Sequence, residues 1–158
     1  MRRLLITGMS GVGKSAALRG LAELGHRTVD ADADGWSRWL PGPDGTPDWA
    51  WDEQRMSALL AEPVPDEGAL VVAGTAFNQG RFYDRFDVVV LLSAPAEVML
   101  ARIDARQDNP FGKSPEERAR VLRDLAVVEP LLRAGAAHEI VTTRPLADVV
   151  AELDALAR

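Results

Sequence analysis

Short runs of apolar residues alternate along the chain with amphipathic stretches of helical length. The apolar runs predict five strands, at residues 3–7, 27–30, 70–73, 87–92 and 139–142. The amphipathic stretches predict helices over residues 14–24, 52–60, 95–106, 114–134 and 145–156. Because strands and helices alternate, and because two of the inner runs are almost continuously apolar, the pattern predicts an α/β fold built around a parallel sheet.

Two stretches interrupt this regular pattern. Residues 36–50 contain three prolines and two glycines and are predicted to be mainly loop. The fourth helix opens at Ser114-Pro115-Glu116-Glu117, a capping box with proline at the first helical position. The same helix is expected to kink near Pro130, because proline removes one helical hydrogen bond.

The composition fits one domain and argues against several classes of protein. The 158 residues are enough for one hydrophobic core, so residues 1–158 are expected to form a single domain. The formal net charge of −6, without a basic block, argues against a nucleic acid as partner. The chain has no cysteine and no apolar run long enough to span a membrane. We therefore expect a cytoplasmic protein, a monomer or weak homodimer, that acts on a small molecule.

Residues 8–15 read G-M-S-G-V-G-K-S and match the phosphate-loop pattern G-x-x-x-x-G-K-S, known as Walker A. They follow a predicted strand and open a predicted helix, so that glycine N–H groups and the helix N-terminus can face phosphate oxygens. Lys14 is predicted to reach the β- and γ-phosphates and to act in catalysis, and Ser15 to bind Mg²⁺. The alternative is a glycine-rich turn with a solvated lysine. The residues predicted to hold the nucleotide phosphates are Gly8, Met9, Ser10, Gly11, Val12, Gly13, Lys14, Ser15 and Ala16.

Three acidic residues, Asp30, Asp32 and Asp34, follow the second predicted strand. Ligands of open α/β sheets bind beyond the carboxyl ends of the strands, and Asp30 and Asp32 point the same way if the segment is extended. Mg²⁺ needs a hard oxygen ligand besides Ser15, which Asp30 can supply. A phosphoryl acceptor needs a carboxylate to orient its hydroxyl and take its proton, which predicts a catalytic role for Asp32. The alternative is a solvated turn or a helix cap, and it suits Asp34 best.

The phosphate loop followed by a strand that ends in Asp-x-Asp resembles the shikimate kinase group of small P-loop kinases, relatives of adenylate and gluconate kinases. The resemblance implies a three-layer P-loop NTPase fold, with a five-stranded parallel sheet, helices on both faces and a small lid. It implies ATP and Mg²⁺ as cofactors, and transfer of the γ-phosphoryl group to a hydroxyl, or a phosphate, of a small metabolite. In that group the first Asp supports Mg²⁺ and the second binds the acceptor hydroxyl, roles that correspond here to Asp30 and Asp32.

The resemblance also implies a lid and a pocket for the base. The polar loop at about residues 106–115 corresponds to the mobile lid. Arg102 is expected to stack on the base, and Arg106 or Lys113 to reach the phosphates, with Arg106 predicted to be catalytic. Arg144 and Pro145 correspond to the segment that flanks adenine. The alternatives are cations that complement a helix dipole and a proline that begins the last helix.

All four tryptophans lie between residues 36 and 51, within the segment of about 32–65 that the resemblance associates with the acceptor. Clustered indoles suit an apolar or aromatic acceptor, and an arginine such as Arg55 suits a carboxylate or phosphate. The alternatives are tryptophans that pack a proline-rich loop, a surface role for Arg55, and a turn at residues 78–79. The residues predicted to bind the acceptor are Asp32, Trp36, Arg55, Gly74, Asn78 and Gln79.

One departure from the family pattern bears on the acceptor. Shikimate kinases carry an arginine just before a Pro-Leu pair late in the chain, where this sequence reads Val128-Glu129-Pro130-Leu131. Glu129 is expected to repel a carboxylate, so a neutral or cationic acceptor is at least as well supported as shikimate. A nucleoside or nucleotide kinase is an alternative if the tryptophans stack on a base. A P-loop ATPase or nucleotide-dependent switch is a further alternative, although the chain has no N-K-x-D motif for guanine.

Overall fold

The computed structural model describes residues 2–33, 35–107 and 109–158. In chain order its elements are β1 (Arg3–Thr7), α1 (Lys14–Glu23), β2 (Arg27–Asp30), β3 (Ser37–Pro41), β4 (Pro47–Trp51), α2 (Glu53–Ala61), β5 (Leu70–Ala73), a 3₁₀ helix (Gln79–Arg85), β6 (Val88–Ser93), α3 (Ala96–Ala105), α4 (Pro115–Val127), α5 (Glu129–Gly135), β7 (His138–Val141) and α6 (Leu146–Ala157). Five parallel strands form one sheet in the order β2-β5-β1-β6-β7, which confirms the predicted parallel sheet. The strands β3 and β4 form a separate antiparallel hairpin.

Hydrophobic residues lie on both faces of the sheet, because successive side chains of a strand point to opposite sides. In β1, Leu4 and Ile6 join a buried cluster that includes side chains of α1, α3 and α6. Leu5 joins the second buried cluster, which includes Trp51 of the hairpin, side chains of α2 and Phe82 of the 3₁₀ helix. The result is the three-layer α/β arrangement that the sequence predicted, and its fold class is confirmed.

The carboxyl ends of β1, β2 and β5 meet at one edge of the sheet. These strands are neighbours in parallel register, with Ile6 beside Ala73 and Ala73 beside Asp30. The segments that leave them are the phosphate loop, the turn that carries Asp32, and the turn at Gly74. The sheet therefore brings together three sequence segments that are far apart along the chain.

The prediction of a loop over residues 36–50 is wrong, because most of this segment forms the β3–β4 hairpin. The N–H of Gly42 donates to the carbonyl oxygen of Thr46 at 2.7 Å, and a φ of 83° at Gly45 lets the turn close. Trp39 faces Trp49 across the two strands with 5.0 Å between ring centroids, and such cross-strand aromatic pairs stabilise a hairpin. The two paired prolines lie at the turn end of the ladder, where a missing N–H costs little.

The predicted helix over residues 114–134 is divided into α4 and α5, which meet at Val128. The division falls two residues before Pro130, so the predicted interruption near this proline is confirmed. The 3₁₀ helix at Gln79–Arg85 was not predicted from the sequence. Within the described ranges 2–33, 35–107 and 109–158, no helix has both the length and the apolar character needed to cross a membrane.

Candidate functional site

The phosphate loop connects β1 to α1, and its backbone requires glycine at three positions. Gly8, Gly11 and Gly13 have φ angles of 154°, 85° and 102°, which residues other than glycine rarely adopt. A Cβ at Gly8 would lie 2.4 Å from the carbonyl oxygen of Leu92, and one at Gly11 would lie 2.6 Å from that of Met99. The loop is therefore packed closely against the backbone of β6 and α3, and any longer side chain at these two positions would displace it.

Two of the residues predicted to hold the phosphates contribute backbone only. The side chains of Met9 and Val12 are buried in the core on the α1 side of the sheet. This burial fixes the loop against the core. The N–H groups of Gly8 and Val12 are bonded within the protein, and the other N–H groups of the loop can face an anion. Ser10 and Ala16 are only partly buried at the two ends of this turn.

The Lys14 ammonium is held inside the phosphate loop. Its Nζ donates to the carbonyl oxygens of Gly8 and Met9 at 2.5 Å and 3.2 Å. Burial lowers the pKa of Lys14, while the nearby carboxylates of Asp32 and Asp30 raise it. The predicted phosphate-binding cation therefore already lies within electrostatic range of both predicted carboxylates.

Thr75 joins the phosphate loop to Asp32, and the sequence did not single it out. Its Oγ1 donates to the Gly8 carbonyl oxygen at 2.6 Å and accepts from the Gly8 N–H at 3.2 Å. Its backbone N–H donates to Asp32 Oδ1 at 3.2 Å. A hydroxyl residue directly after a strand and a glycine was the only sequence signal for this role.

Asp32 is partly buried at the carboxyl end of β2, beside the hairpin. Besides accepting the bond from Thr75, Asp32 lies close enough to the side chain of Trp49 for that side chain to lower its pKa. Burial raises the pKa of Asp32, and the positive charge of Lys14 is the first of the contributions that oppose this rise. Asp32 is thus a carboxylate with one fixed backbone donor and an ammonium within electrostatic range, as expected of a group that must be ionised to accept a proton.

Ser15 and Asp30 lie together, as a shared magnesium site requires. Ser15 Oγ donates to Asp30 Oδ2 at 3.4 Å, while Asp30 Oδ1 accepts from the backbone N–H of Asp32 at 3.0 Å. A hydroxyl and a carboxylate are hard oxygen ligands, and Mg²⁺ commonly takes only one or two such groups together with phosphate oxygens and water. Among the described residues, no three His, Cys, Asp or Glu side chains gather into a metal-binding group. Asp34 lies outside the described residues.

Arg102 of α3 lies directly beside the phosphate loop, on the side where the base was predicted. One of its terminal nitrogens donates to the carbonyl oxygens of Gly11 and Val12 at 3.3 Å and 3.2 Å and to Thr142 Oγ1 at 2.8 Å. The other donates to the Thr142 carbonyl oxygen at 2.5 Å. Thr142 Oγ1 in turn donates to the Val12 carbonyl oxygen at 2.7 Å, so Thr142 is a second positioning residue that the sequence did not predict.

The polar loop after α3 is closed by its own two cations. Arg106 donates through Nε to the carbonyl oxygen of Asn109 at 3.0 Å and through Nη2 to that of Phe111 at 2.5 Å. Lys113 Nζ donates to the carbonyl oxygen of Arg106 at 2.5 Å. The charge of Arg106 contributes to lowering the pKa of Lys14, which places its guanidinium within electrostatic range of the phosphate loop.

The segment predicted to flank adenine begins α6. Arg144 is exposed and forms an ion pair with Glu152 of α6, and Pro145 is the residue immediately before that helix. This geometry realises the alternative noted for the sequence, a proline that begins the last helix. A contact with a base is compatible with it only on the exposed side of this turn.

Two of the residues predicted to bind the acceptor contact each other. The Arg55 guanidinium lies over the Trp36 ring, 3.9 Å from its centroid, in a cation–π contact. The Nη1 atom of Arg55 would lie 3.3 Å from a Cβ built at Gly35, so the guanidinium closes over the turn that carries Asp32. Gly74 lies at the same edge, because a Cβ there would be 3.2 Å from Asp32 Oδ1.

The amides of Asn78 and Gln79, which were predicted to bind the acceptor, are buried and form hydrogen bonds within the protein. Asn78 exchanges hydrogen bonds of 3.0 Å with the backbone N–H and carbonyl oxygen of Trp51, which fixes the hairpin to the 3₁₀ helix. Gln79 bonds to Thr7 Oγ1 at 3.0 Å, to the N–H of Ala76 at 2.8 Å and to the Tyr83 hydroxyl at 2.8 Å. Both residues are positioning residues of the turn after β5.

Glu129, which was expected to repel an anionic acceptor, is paired within the protein. Glu129 is buried at the start of α5, and its Oε1 accepts from Arg133 at 2.7 Å. Arg133 also donates to Glu139 at 2.7 Å, so the charge of Glu129 is offset within a network of α5 and β7. The absence of an arginine at residues 128–131 remains the only departure of this segment that concerns the acceptor.

A parallel sheet with a glycine loop that opens α1, a lysine inside that loop and two carboxylates at the next strand end define a P-loop nucleotide-binding protein of the α/β class. The family model described as an AAA domain matches residues 4–123. The chain belongs to this P-loop family and, within it, to the shikimate kinase-like group of P-loop kinases.

Sequence comparison relates the chain to curated shikimate kinases. It is 34% identical over 143 residues to one from Nitrobacter winogradskyi, an alignment that covers 84% of this chain and 65% of that protein. It is 32% identical over 144 residues to one from Rhodopseudomonas palustris, covering 84% of this chain and 69% of that protein. The chain therefore spans about two thirds of the length of these relatives.

Structural comparison supports the same fold. A shikimate kinase from Acinetobacter baumannii, solved in complex with shikimate, superposes with a TM-score of 0.69. The match covers 99% of this chain and 92% of that chain at 23% sequence identity. The predicted P-loop fold is thereby confirmed over nearly the whole chain.

Proposed function

We propose that the protein transfers the γ-phosphoryl group of ATP to a hydroxyl of a small molecule. The observation that carries the proposal is the bridge made by Thr75, which holds Gly8 of the phosphate loop through its hydroxyl and Asp32 through its N–H. Asp30, beside Ser15, can serve Mg²⁺, so that Asp32 is a second carboxylate available to an acceptor. Thr75 thus holds Asp32, which can orient the acceptor, at a fixed position relative to the phosphate loop, which binds ATP.

The phosphate side of the reaction rests on the loop and two cations. The N–H groups of the loop and the start of α1 stabilise the β- and γ-phosphates, and the Lys14 ammonium exchanges its loop carbonyls for phosphate oxygens. Arg106 adds positive charge from the polar loop. Ser15 and Asp30 would hold Mg²⁺, and the ion would offset the negative charge of the phosphate oxygens.

The acceptor side rests on Asp32. Its carboxylate accepts the hydrogen bond of the acceptor hydroxyl and takes the proton as that oxygen forms its bond to the γ-phosphorus. The bond between the γ-phosphorus and the bridging oxygen breaks, and ADP leaves with that electron pair. The N–H of Thr75 keeps the carboxylate oriented during this transfer.

The test is acceptor-dependent formation of ADP by the full chain with Mg²⁺ and ATP. A panel of small alcohols is expected to contain at least one compound that raises the rate of ADP formation and appears as a phosphate ester by mass spectrometry. The Lys14→Ala variant is expected to form neither ADP nor the phosphate ester at an appreciable rate, and to lose tight binding of ATP. Slow ATP hydrolysis that no alcohol accelerates would contradict the proposal and favour a P-loop ATPase or switch.

A further inference from the structure

We propose that Gln79 is a positioning residue for the phosphate loop, which it reaches through the hydroxyls of Thr7 and Thr75. The inference rests on the proposed kinase function and adds to it a residue of the 3₁₀ helix. Gln79 donates to Thr7, and the Thr7 hydroxyl lies 3.1 Å from that of Thr75, which holds Gly8 at the start of the loop. The side chains of Gln79, Thr7 and Thr75 therefore form a hydrogen-bond relay from the 3₁₀ helix to the loop.

The orientation of the Gln79 amide is fixed by the backbone. Its Oε1 accepts from the N–H of Ala76 at 2.8 Å, and a nitrogen in the same place would set two donors against each other. Nε2 therefore faces the other way, where it donates to Thr7 Oγ1 at 3.0 Å and to the Tyr83 hydroxyl at 2.8 Å. Gln79 is 3% exposed and Thr7 is completely buried, so bulk water does not compete for these bonds.

This orientation sets the direction of every later bond in the relay. Because an amide nitrogen can only donate, Thr7 Oγ1 accepts from Gln79, and its own proton is free for another oxygen. The nearer oxygen is Thr75 Oγ1 at 3.1 Å, against 3.4 Å to Gln79 Oε1. Thr75 Oγ1 also accepts from the Gly8 N–H at 3.2 Å, so both of its acceptor positions are filled. Its single proton then goes to the Gly8 carbonyl oxygen, at 2.6 Å.

The last bond of the relay matters when Lys14 leaves the loop carbonyls for a phosphate. In the structure the Gly8 carbonyl oxygen accepts from both Thr75 and Lys14, at 2.6 Å and 2.5 Å. Once the ammonium has turned away, this carbonyl keeps a donor only if Thr75 still donates to it, and a carbonyl without a donor is costly. Gln79 thus favours nucleotide binding, because it prevents Thr7 from drawing the Thr75 proton away from Gly8.

The first test is the affinity for ATP with Mg²⁺, measured by calorimetry. Gln79→Met keeps the length of the side chain but cannot donate, so Thr7 becomes free to accept from Thr75, and we expect binding to weaken about fivefold or more. Tyr83→Phe is the matched control, because it removes the other bond of the same amide nitrogen and leaves the bond to Thr7 intact. It is expected to bind ATP within about twofold of the parent, even where urea unfolding shows a loss of stability. Parental affinity in Gln79→Met, or an equal loss in Tyr83→Phe, overturns the proposal.

A double-mutant cycle with Thr7→Val tests whether Gln79 acts through the Thr7 hydroxyl. If it does, adding Gln79→Met to Thr7→Val weakens ATP binding by less than about twofold, because the hydroxyl that Gln79 controls is already gone. A residue that only packs the turn after β5 would instead cause the same loss in both backgrounds. Additive losses therefore overturn the proposal.

Gln79→Glu provides a pH profile that a packing role would not produce. An ionised carboxylate only accepts, so it takes the Thr7 proton and leaves Thr7 Oγ1 to accept from Thr75, whereas a protonated carboxyl can donate to Thr7 as the amide does. Burial raises the pKa of a carboxyl, so we expect ATP affinity relative to the parent to be lowest near about pH 8.5 and to recover toward about pH 5.5. A ratio that does not change with pH overturns the proposal.

Two controls isolate this recovery from other titrations. Lys14, Asp32 and Tyr83, the titratable groups bonded to the relay or beside it, are present in both proteins, so the ratio at each pH removes their own contribution. In the double variant Thr7→Val and Gln79→Glu, the recovery is expected to disappear, because no hydroxyl remains to receive the proton. Repulsion between the new carboxylate and ATP would persist in that variant, so a recovery that persists overturns the proposal.

Amide hydrogen exchange without nucleotide separates this proposal from the kinase function. The N–H of Gly8 donates to Thr75 Oγ1, and the N–H of Leu70, at the opposite end of the strands, donates to the carbonyl oxygen of Arg2. In Gln79→Met we expect exchange at Gly8 to rise about fivefold or more relative to Leu70, and an equal change at both contradicts the positioning role. A parent that binds ATP but phosphorylates no alcohol contradicts the kinase function, while the faster exchange at Gly8 still supports the role of Gln79.

Discussion

Thr75 holds both backbone polar groups of Gly8, because its hydroxyl donates to the glycine carbonyl and accepts from the glycine N–H. Lys14 donates to the same carbonyl oxygen, at 2.5 Å. When the lysine turns to a phosphate, Thr75 is the residue that keeps the first position of the loop in place. This relationship makes Thr75 the most informative position outside the motif itself.

Replacing Thr75 with valine preserves its shape but removes both hydrogen bonds of the hydroxyl. Leaving the polar groups of Gly8 unsatisfied costs about 1–3 kcal/mol, so we expect kcat/KM for ATP to fall about tenfold to a hundredfold. Thr75→Ser keeps the hydroxyl and is expected to remain within a few fold of the parent. Steady-state kinetics of both variants check this prediction, and equal activity of the valine variant would refute it.

Replacing Asp32 with asparagine removes the proton acceptor while keeping a side chain of the same size. We expect the rate of phosphate transfer to fall at least about a hundredfold, with ATP affinity nearly unchanged. Asp84→Asn, an exposed carboxylate in the 3₁₀ helix, is the matched control. An Asp32→Asn variant with parental turnover would show that another group takes the proton.

The pH dependence of the reaction reports the state of Asp32. Its pKa is raised from 3.8 chiefly by burial, and only the ionised form can take a proton, so the rate is expected to fall with decreasing pH above the range of an ordinary aspartate. The side chain of Trp49 lowers this pKa, because its N–H stabilises the carboxylate. Trp49→Phe is therefore expected to move the acidic limb of kcat/KM to higher pH. Trp39→Phe serves as control, and a limb that moves to lower pH in Trp49→Phe would contradict the assignment.

Gly11 combines two requirements that can be separated by mutation. It has a φ of 85°, and a Cβ would lie 2.6 Å from the Met99 carbonyl oxygen. Gly25 has a φ of 92° with nothing within 4 Å of its Cβ position, so Gly25→Ala carries the backbone cost alone. We expect Gly25→Ala to lower the free energy of unfolding by about 1 kcal/mol and Gly11→Ala by about 2–4 kcal/mol. Urea unfolding measures both, and equal losses would show that the loop relaxes around the added carbon.

Arg102 makes four hydrogen bonds with its planar guanidinium, and a lysine cannot reproduce them. We expect Arg102→Lys to weaken ATP binding about tenfold by calorimetry, because the loop and Thr142 lose a common anchor. Arg19→Lys, on the exposed side of α1, is expected to bind ATP like the parent. Unchanged affinity in Arg102→Lys would assign Arg102 a role in folding only.

The features that the sequence predicted correctly are those determined by local patterns. The loop of residues 8–15 and the five sheet strands follow from a contiguous motif and from continuous apolar runs. The hairpin was missed because its stability comes from Trp39 packing on Trp49 and from bonds to Asn78, none of which shows in a proline-rich segment. The roles of Thr75 and Thr142 were not predicted, because both residues bond to segments that are far away in the sequence and come together only at the edge of the folded sheet. The bonds that Asn78 and Gln79 form within the protein were not predicted, because sequence alone does not reveal that their amides are buried.

The β3–β4 hairpin is attached to the rest of the protein by the buried Trp51 side chain and by hydrogen bonds near its base. At the base of the hairpin, the N–H of Asp52 donates to the carbonyl oxygen of Trp36, and the N–H of Phe77 donates to the carbonyl oxygen of Trp49. The side-chain amide of Asn78 bonds to both the N–H and the carbonyl oxygen of Trp51. None of these anchors involves the side chains that cover the exposed end of the hairpin. Amino acids at that end can therefore be exchanged while the phosphate loop keeps its hydrogen bonds. Changes in this one hairpin are thus a route by which evolution alters what the protein binds beside the nucleotide.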